Sequence, residues 1–161
     1  MYKTGHYGVA LLTYAPLGAT LLAVGFEVAA LVGGGVVLAL SGLPDVDQRI
    51  AFVEHRGSTH TVWFALVVDG VLGGLGATLG GERIGVSSVA AGAFGFVLGM
   101  LATVSHLLGD VVTPMGITPF WPVSDAHYTL SLTRADNPIA NYLLLAGGVA
   151  VTVGVLAVAG G

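Results

Sequence analysis

Histidine and aspartate side chains recur at short spacings along this chain, and both residue types are common metal ligands. His106 and Asp110 are four residues apart, so on a helix they share one face and lie about 6 Å apart along its axis. That spacing suits two ligands of one metal ion, or one ligand and the carboxylate that supports it. Asp45 and Asp47 follow Pro44, and alternate residues of an extended segment point the same way. Each pair alone is weak evidence for a metal site.

A further group of polar residues runs from His55 to His60, with Gly57 allowing a turn between the two histidines. Arg56 can pair with a phosphate through its planar guanidinium, or it can be an interfacial arginine whose head group extends to water. Mixed His and Asp ligands suit Zn²⁺, Mn²⁺ or Fe better than Ca²⁺, which prefers oxygen ligands alone. Such ions lower the pKa of bound water and polarise a phosphoryl or carbonyl oxygen.

The composition places these residues in a membrane protein. Of 161 residues, 55% are apolar, 9% are charged and 26 are glycine, and the mean hydropathy is +0.90. Disorder is excluded because it requires low hydrophobicity and high charge. The five basic residues cannot form a nucleic-acid-binding surface, and the absence of cysteine excludes disulfides and thiolate metal sites. We therefore predict a single membrane-embedded domain over residues 1–161.

Long apolar runs give the predicted architecture, an all-α integral membrane bundle of about five transmembrane helices. The runs cover residues 7–24, 28–43, 61–79, 85–108 and 139–160, against about 20 residues needed for a span. The first two are short, so they are either two spans or a helical hairpin that does not cross fully, and we predict two spans. The first run lacks the basic region and cleavage site of a signal peptide, so we predict that it is retained.

Five antiparallel crossings would bring the polar motifs to one face of the membrane. That face would hold the His/Asp motifs, and the opposite face would receive only Glu27, Glu82 and Arg83. The basic residues show the same bias, because Lys3, Arg49, Arg56 and Arg134 all fall on the polar side. The positive-inside rule then predicts that the polar side is cytoplasmic in a multi-pass cell-membrane protein.

Several short blocks resemble a known family. They are His6, LPDVD at 43–47, HRGSTH at 55–60, SHLLGD at 105–110 and TPMGITPFWP at 113–122, over the first three quarters of the chain. In this order they resemble the YdjM-like (LexA-regulated) family of membrane-bound metal-dependent hydrolases. That family is thought to be distantly similar to zinc phospholipase C and P1 nuclease, which cleave phosphodiesters at clustered zinc ions.

The resemblance implies a ligand set and a reaction class. The implied metal ligands are His6, Asp45, Asp47, His55, His60, His106 and Asp110, and we assign catalytic roles to Asp47, Arg56 and His60. The implied cofactor is a divalent metal, with zinc expected first and manganese or iron as alternatives. We expect an enzyme that cleaves a phosphoester, with a lipid headgroup as the most plausible substrate, by means of a metal-activated water. The expected partners are the bilayer and a lipid substrate, and the oligomeric state is left open.

Two further features bear on the site. The run 113–122 contains three prolines and a glycine, so it cannot form a regular helix, and we predict a rigid re-entrant loop that covers the site. His127 beyond it is predicted to be a surface residue. Asp69 lies near the middle of the third run, about 13 Å deeper than His60, so it is expected to be protonated or to bond a residue such as Thr103.

The alternative to a hydrolase is a membrane transporter or metal-handling protein. The same His/Asp cluster would then be an ion site, and Asp69 would continue a path through the membrane. A transporter needs polar groups through the full thickness, and the fourth and fifth runs have almost none in their interiors. A membrane scaffold without catalytic activity would leave the clustered histidines unexplained.

Overall fold

The computed structural model describes residues 1–52, 55–80 and 86–159, and its regular elements are helices. The five α-helices are α1 (Lys3–Ala23), α2 (Glu27–Leu40), α3 (Val62–Leu79), α4 (Ser88–Val111) and α5 (Pro138–Ala159). Two short 3₁₀ helices, Pro44–Arg49 and Ser58–His60, lie between α2 and α3. Within the described residues the only extended pairing is an isolated bridge between Ile117 and Tyr128. The predicted all-α fold is confirmed.

Four segments are long and apolar enough to cross a membrane. They are Glu27–Arg49, which contains α2, and the helices α3, α4 and α5. Helix α1 has 21 residues but is not one of these four, in keeping with its polar first turns, which contain Lys3, Thr4 and His6. The five predicted spans thus correspond to five helices. The length and hydropathy of a span are met by α3, α4, α5 and the segment Glu27–Arg49 that contains α2.

Glycines allow α3 and α4 to pack closely. A Cβ added at Gly95 would overlap the carbonyl oxygen of Leu72, and one at Gly76 would overlap the backbone of α4. Close approach of this kind is a common way for membrane helices to associate. By contrast, a Cβ at Gly70 or Gly74 would meet nothing within 4 Å. The glycine spacings in the sequence therefore mark the helix contact at some positions and open surface at others.

Helix α1 packs against three other helices, α2, α4 and α5. A Cβ at Gly8 would overlap the backbone of Leu144, so α1 and α5 also touch through their main chains. The hydroxyl of Tyr14 donates a hydrogen bond of 2.6 Å to the carbonyl of Ala30 and so joins α1 to α2. A small apolar core surrounds this contact and consists of Ala10, Tyr14, Val37, Leu98 and Ala102.

The alternation of helix direction brings the polar motifs to one end of the bundle. The start of α1 meets the start of α5 where the amide of Tyr2 donates to Asn141 Oδ1 at 3.0 Å. The end of α2 meets the end of α4 where His106 Nδ1 lies 2.7 Å from the carbonyl of Ser41. The predicted convergence is therefore confirmed. Glu82 and Arg83, predicted for the opposite face, lie outside the described residues.

The segment after α4 folds back over this end of the bundle. The carbonyl of Pro119 accepts a 2.8 Å hydrogen bond from the amide of Val62, at the first turn of α3. Gly116 has a φ of +57°, a left-handed conformation that favours glycine, and it lies beside the bridge between Ile117 and Tyr128. Residues 113–122 thus form an irregular loop at the polar end, as their prolines predict.

Candidate metal centre

The structure brings all seven predicted ligands to the polar end of the bundle. His6 comes from α1, His106 and Asp110 come from α4, and the other four lie between α2 and α3. Pro44 begins the 3₁₀ helix that carries Asp45 and Asp47, a position where its missing N–H costs nothing. Thr61 then caps α3 by accepting a hydrogen bond from the amide of Phe64 at 3.3 Å, and so fixes the direction in which the chain leaves His60.

Three buried side chains form the centre of this group. His60 Nε2 lies 3.2 Å from His106 Nε2 and 3.2 Å from Asp110 Oδ2, and His106 Nε2 lies 3.4 Å from Asp110 Oδ2. The two histidine side chains are fully buried and that of Asp110 is 1% exposed. Asp45 Oδ1 lies beside the two histidines, 3.7 Å from His60 Nε2 and 3.6 Å from His106 Nε2.

The second nitrogen of each histidine fixes the orientation of its ring. His106 Nδ1 donates to the carbonyl of Ser41, because a carbonyl oxygen only accepts hydrogen bonds. The hydroxyl of Thr59 donates to Asp47 Oδ2 at 2.8 Å, so its oxygen can accept a bond from His60 Nδ1 at 3.1 Å. In the neutral form each ring therefore turns an Nε2 lone pair toward the centre, as metal-binding histidines do.

These positions fit a tetrahedral metal site. Metal–nitrogen bonds of 2.0–2.1 Å place neighbouring ligand atoms roughly 3.3–3.4 Å apart in a tetrahedron. The distances among His60 Nε2, His106 Nε2 and Asp110 Oδ2 are 3.2–3.4 Å. Asp110 Oδ2 is buried and receives no hydrogen bond from the described residues. A single proton would satisfy only one of these contacts, whereas a divalent cation would satisfy all of them.

Asp47 lies behind the histidines, and both of its oxygens already have partners. Oδ1 lies 3.0 Å from His55 Nδ1, while Oδ2 accepts bonds from the amide of Arg56 at 3.0 Å and from Thr59. Oδ2 also lies 3.4 Å from His60 Nδ1. The sequence argument assumed an extended segment. Instead, the 3₁₀ helix turns about 240° over two residues, so Asp47 and Asp45 face different ways.

His6 and His55 lie at opposite edges of the central group. The ring of His6 stacks on that of His106, with centroids 3.9 Å apart and planes 4° apart, and its Nε2 is 3.7 Å from Asp110 Oδ1. The side chain of His55 is 40% exposed and its ring packs edge-on against His60. Asp45 belongs to two further groups with metal-ligand spacing, one with His6 and His106 and one with His55 and His60.

Arg56 is buried and joins the loop after α4 to the central group. Its Nη2 donates to Asp110 Oδ1 at 2.6 Å, and its Nη1 donates to Thr113 Oγ1 at 3.1 Å and to the carbonyl of Gly116 at 3.0 Å. The side chain is 8% exposed, so it is not an interfacial arginine extending to water. Since Arg56 occupies Asp110 Oδ1, the other oxygen of Asp110 is left for the centre.

The charges around His60 favour a cation. Burial by itself lowers the pKa of His60, but the carboxylates of Asp110 and Asp45 raise it above its ordinary value. The negative potential that retains a proton on this nitrogen also attracts a metal ion, and protons and metal compete for the same lone pair.

Sequence reasoning missed some of the residues that support the site. Ser41 acts through its backbone carbonyl, so its side-chain type carries no signal. Thr59 directly precedes His60 in the sequence, and a hydroxyl at that position is a signal for a hydrogen bond to the histidine ring. Asn141 is buried in the first turn of α5 and binds the start of α1.

Two predicted polar residues lie apart from the centre. Asp69 is 2% exposed and faces Gly99 of α4, where a Cβ would come within 3.0 Å of Asp69 Oδ1. Its Oδ1 receives no hydrogen bond within the described part of the chain. His127 is exposed, as predicted.

The sequence of the chain was compared with models of known protein families, with curated proteins and with solved structures. The model of one protein family, described as YdjM inner membrane protein, matches residues 1–160. Neither a curated protein nor a solved structure matches the chain.

Proposed function

The chain belongs to the YdjM inner membrane protein family, and we propose that it is a metal-dependent hydrolase that cleaves phosphoesters at the membrane surface. The observation that carries the proposal is the convergence of His60 Nε2, His106 Nε2 and Asp110 Oδ2 within 3.2–3.4 Å of one another in a buried setting. Without a cation the three atoms depend on a shared proton, and one proton satisfies only one of the three contacts.

In this proposal His60, His106, Asp110 and Asp45 hold the metal. A divalent cation bound there would supply Lewis acidity, lowering the pKa of water and polarising a phosphoryl oxygen. Zinc suits two nitrogen and two oxygen ligands at tetrahedral spacing, and manganese and iron are the alternatives. His6 and His55 flank this set and share Asp45 with it.

The residues around the proposed ligands hold those ligands in position and do not themselves react with the substrate. The carboxylate of Asp47 lies against Nδ1 of His60 and so orients that ring. It also binds Nδ1 of His55 and so holds His55 at the outer edge of the site. Arg56 holds Asp110 and the covering loop together, with only its Nε without a hydrogen bond among the described residues. We therefore assign Asp47 and Arg56 as positioning residues.

The position of the site supports a substrate at the bilayer surface. The ligands lie at the end of a helical bundle with four membrane-spanning candidates, beyond the apolar middle of the helices. A phosphoester in a lipid headgroup occupies the same level of the membrane. We place this face in the cytoplasm because Lys3, Arg49, Arg56 and Arg134 lie on it.

The test is hydrolysis by purified protein in detergent, with a short-chain phospholipid and with bis(4-nitrophenyl) phosphate. His106→Ala and Asp110→Ala should abolish metal-dependent product release while the protein still inserts in the membrane. His127→Ala is the matched control, because this histidine is exposed and outside the centre. Unchanged hydrolysis in both ligand variants would refute the assignment.

A transporter or metal-handling role is the second candidate, and Asp69 is the observation that favours it. This carboxyl is buried within α3, and its Oδ1 lacks a hydrogen bond from any described residue. Such groups inside a membrane commonly mark ion or proton paths. Uptake of Zn²⁺ or Mn²⁺ into proteoliposomes that is lost in Asp69→Asn would establish this role. Under the hydrolase proposal the variant retains hydrolysis and no protein-dependent uptake is seen.

A further inference from the structure

A cavity of about 570 Å³ adjoins the metal centre. It lies between the first turns of α1 and the end of α2 with the 3₁₀ helix that follows, and His6 and Asp45 form part of its wall. Its volume falls in the range of roughly 300–1,000 Å³ that is typical of small-molecule sites. The cavity thus connects the surface of the bundle to two of the groups that surround the metal position.

Two basic side chains line this cavity, although the whole chain has only five Lys and Arg residues. Lys3 stands in the first turn of α1 and Arg49 ends the 3₁₀ helix, and both are exposed. Neither forms an ion pair with a residue that the structure describes. These two cations outnumber the one carboxylate in the wall, that of Asp45, so the cavity favours an anion, and the guanidinium geometry favours a phosphate.

The remainder of the wall suits an amphiphile. Tyr2 and Tyr7 contribute aromatic rings, 50% and 39% exposed, and Leu43 and Val46 contribute apolar surface. Tyrosines are enriched at the level of the lipid headgroups, where one side of the ring is apolar and the hydroxyl is hydrated. A cavity that joins cations to an apolar wall at this level matches a molecule with a phosphate and acyl chains.

We propose that this cavity binds a phospholipid, with Lys3 and Arg49 pairing with the headgroup phosphate and the acyl chains leaving between α1 and α2. As a substrate site this deepens the proposed hydrolase function and rests on it for turnover. The binding itself depends only on the cavity. The cations at its rim select a phosphate-bearing headgroup and bring it alongside Asp45 and His6.

Native mass spectrometry of the detergent-solubilised protein tests the proposal, because it counts bound lipid and bound product separately. The probes are dihexanoyl phosphatidic acid, dihexanoylglycerol, which lacks the phosphate, and glycerol 3-phosphate, which lacks the chains. Dihexanoyl phosphatidic acid should bind at least tenfold more tightly than either of the others. Lys3→Gln with Arg49→Gln should weaken its binding at least tenfold and leave the metal content unchanged. Arg134→Gln, which removes an exposed charge outside the cavity, should have no effect.

The outcomes separate this site from the catalytic proposal. Equal binding of the phospholipid by wild type and the double variant would overturn the cavity assignment, whether or not the protein hydrolyses phosphoesters. Equal binding of glycerol 3-phosphate and the phospholipid would overturn the assignment to a lipid. Binding that depends on Lys3 and Arg49 in a protein without hydrolytic activity would support the cavity and count against the hydrolase.

Discussion

His60 Nε2 and His106 Nε2 face each other at 3.2 Å in the buried end of the bundle. The two rings come from a 3₁₀ helix and from α4, 46 residues apart in sequence, and each is held from behind through Nδ1. Neutral histidines held in this way would present two lone pairs to each other. The two rings, with Asp110, could therefore hold a cation, and the hydrogen bonds behind the rings fix their orientation.

The bonds behind His60 give the first prediction. Asp47→Asn removes the carboxylate that supports His60 Nδ1 and holds His55 and Thr59. Loss of such supporting groups typically weakens metal binding about 10–100-fold. Competition with a fluorescent zinc chelator should show this loss in a protein that keeps its helical circular dichroism. Asp136→Asn, an exposed carboxylate outside the site, is the control. Wild-type affinity in Asp47→Asn would contradict the positioning role.

Arg56 gives a prediction about stability. Its guanidinium is buried against Asp110 and bonds Thr113 and the carbonyl of Gly116. Arg56→Gln removes this buried ion pair, and the N-terminal ammonium at 3.1 Å is then the remaining cation on Asp110 Oδ1. Removing one partner of a buried pair costs about 3–5 kcal/mol. We expect a lower Tm in detergent and faster proteolysis within residues 113–132. The matched change Arg134→Gln should leave both unchanged, because that pair is exposed. Equal Tm values for Arg56→Gln and wild type would show that Arg56 does not hold the loop.

Helix packing gives a prediction at two glycines. Gly95→Ala would place a methyl group against the carbonyl oxygen of Leu72, so α3 and α4 must move apart. Overpacking of this size costs about 1–3 kcal/mol. Gly74→Ala is the matched control, since its Cβ would meet nothing within 4 Å. Thermal unfolding should give a lower Tm for Gly95→Ala alone, and a similar Tm for the two variants would contradict the close approach.

The position of the site could be predicted from the sequence because it depends on helix direction. Apolar runs alternate with polar motifs, so five antiparallel helices place His6, His60 and His106 at one end whatever the details of packing. The spacing of His106 and Asp110 on one helix face also predicted their contact, and Nε2 and Oδ2 lie 3.4 Å apart. These features follow from helical periodicity alone.

The division of roles within the site could not be predicted from spacing. Asp45 and Asp47 point the same way only in an extended segment, and Pro44–Arg49 forms a 3₁₀ helix. Arg56 adopts a φ of 62°, an unusual backbone conformation that turns its side chain toward α4 and the loop. Both depend on how the connection between α2 and α3 folds against α4, which is a tertiary effect.

The most direct test of the account is the metal content of the purified protein, measured by elemental analysis for wild type, His106→Ala and the control His127→Ala. The account predicts at least one equivalent of zinc, manganese or iron per chain in wild type and in His127→Ala, and its loss in His106→Ala. Wild-type protein without metal above background, even after incubation with Zn²⁺ or Mn²⁺ and removal of the excess, would contradict it.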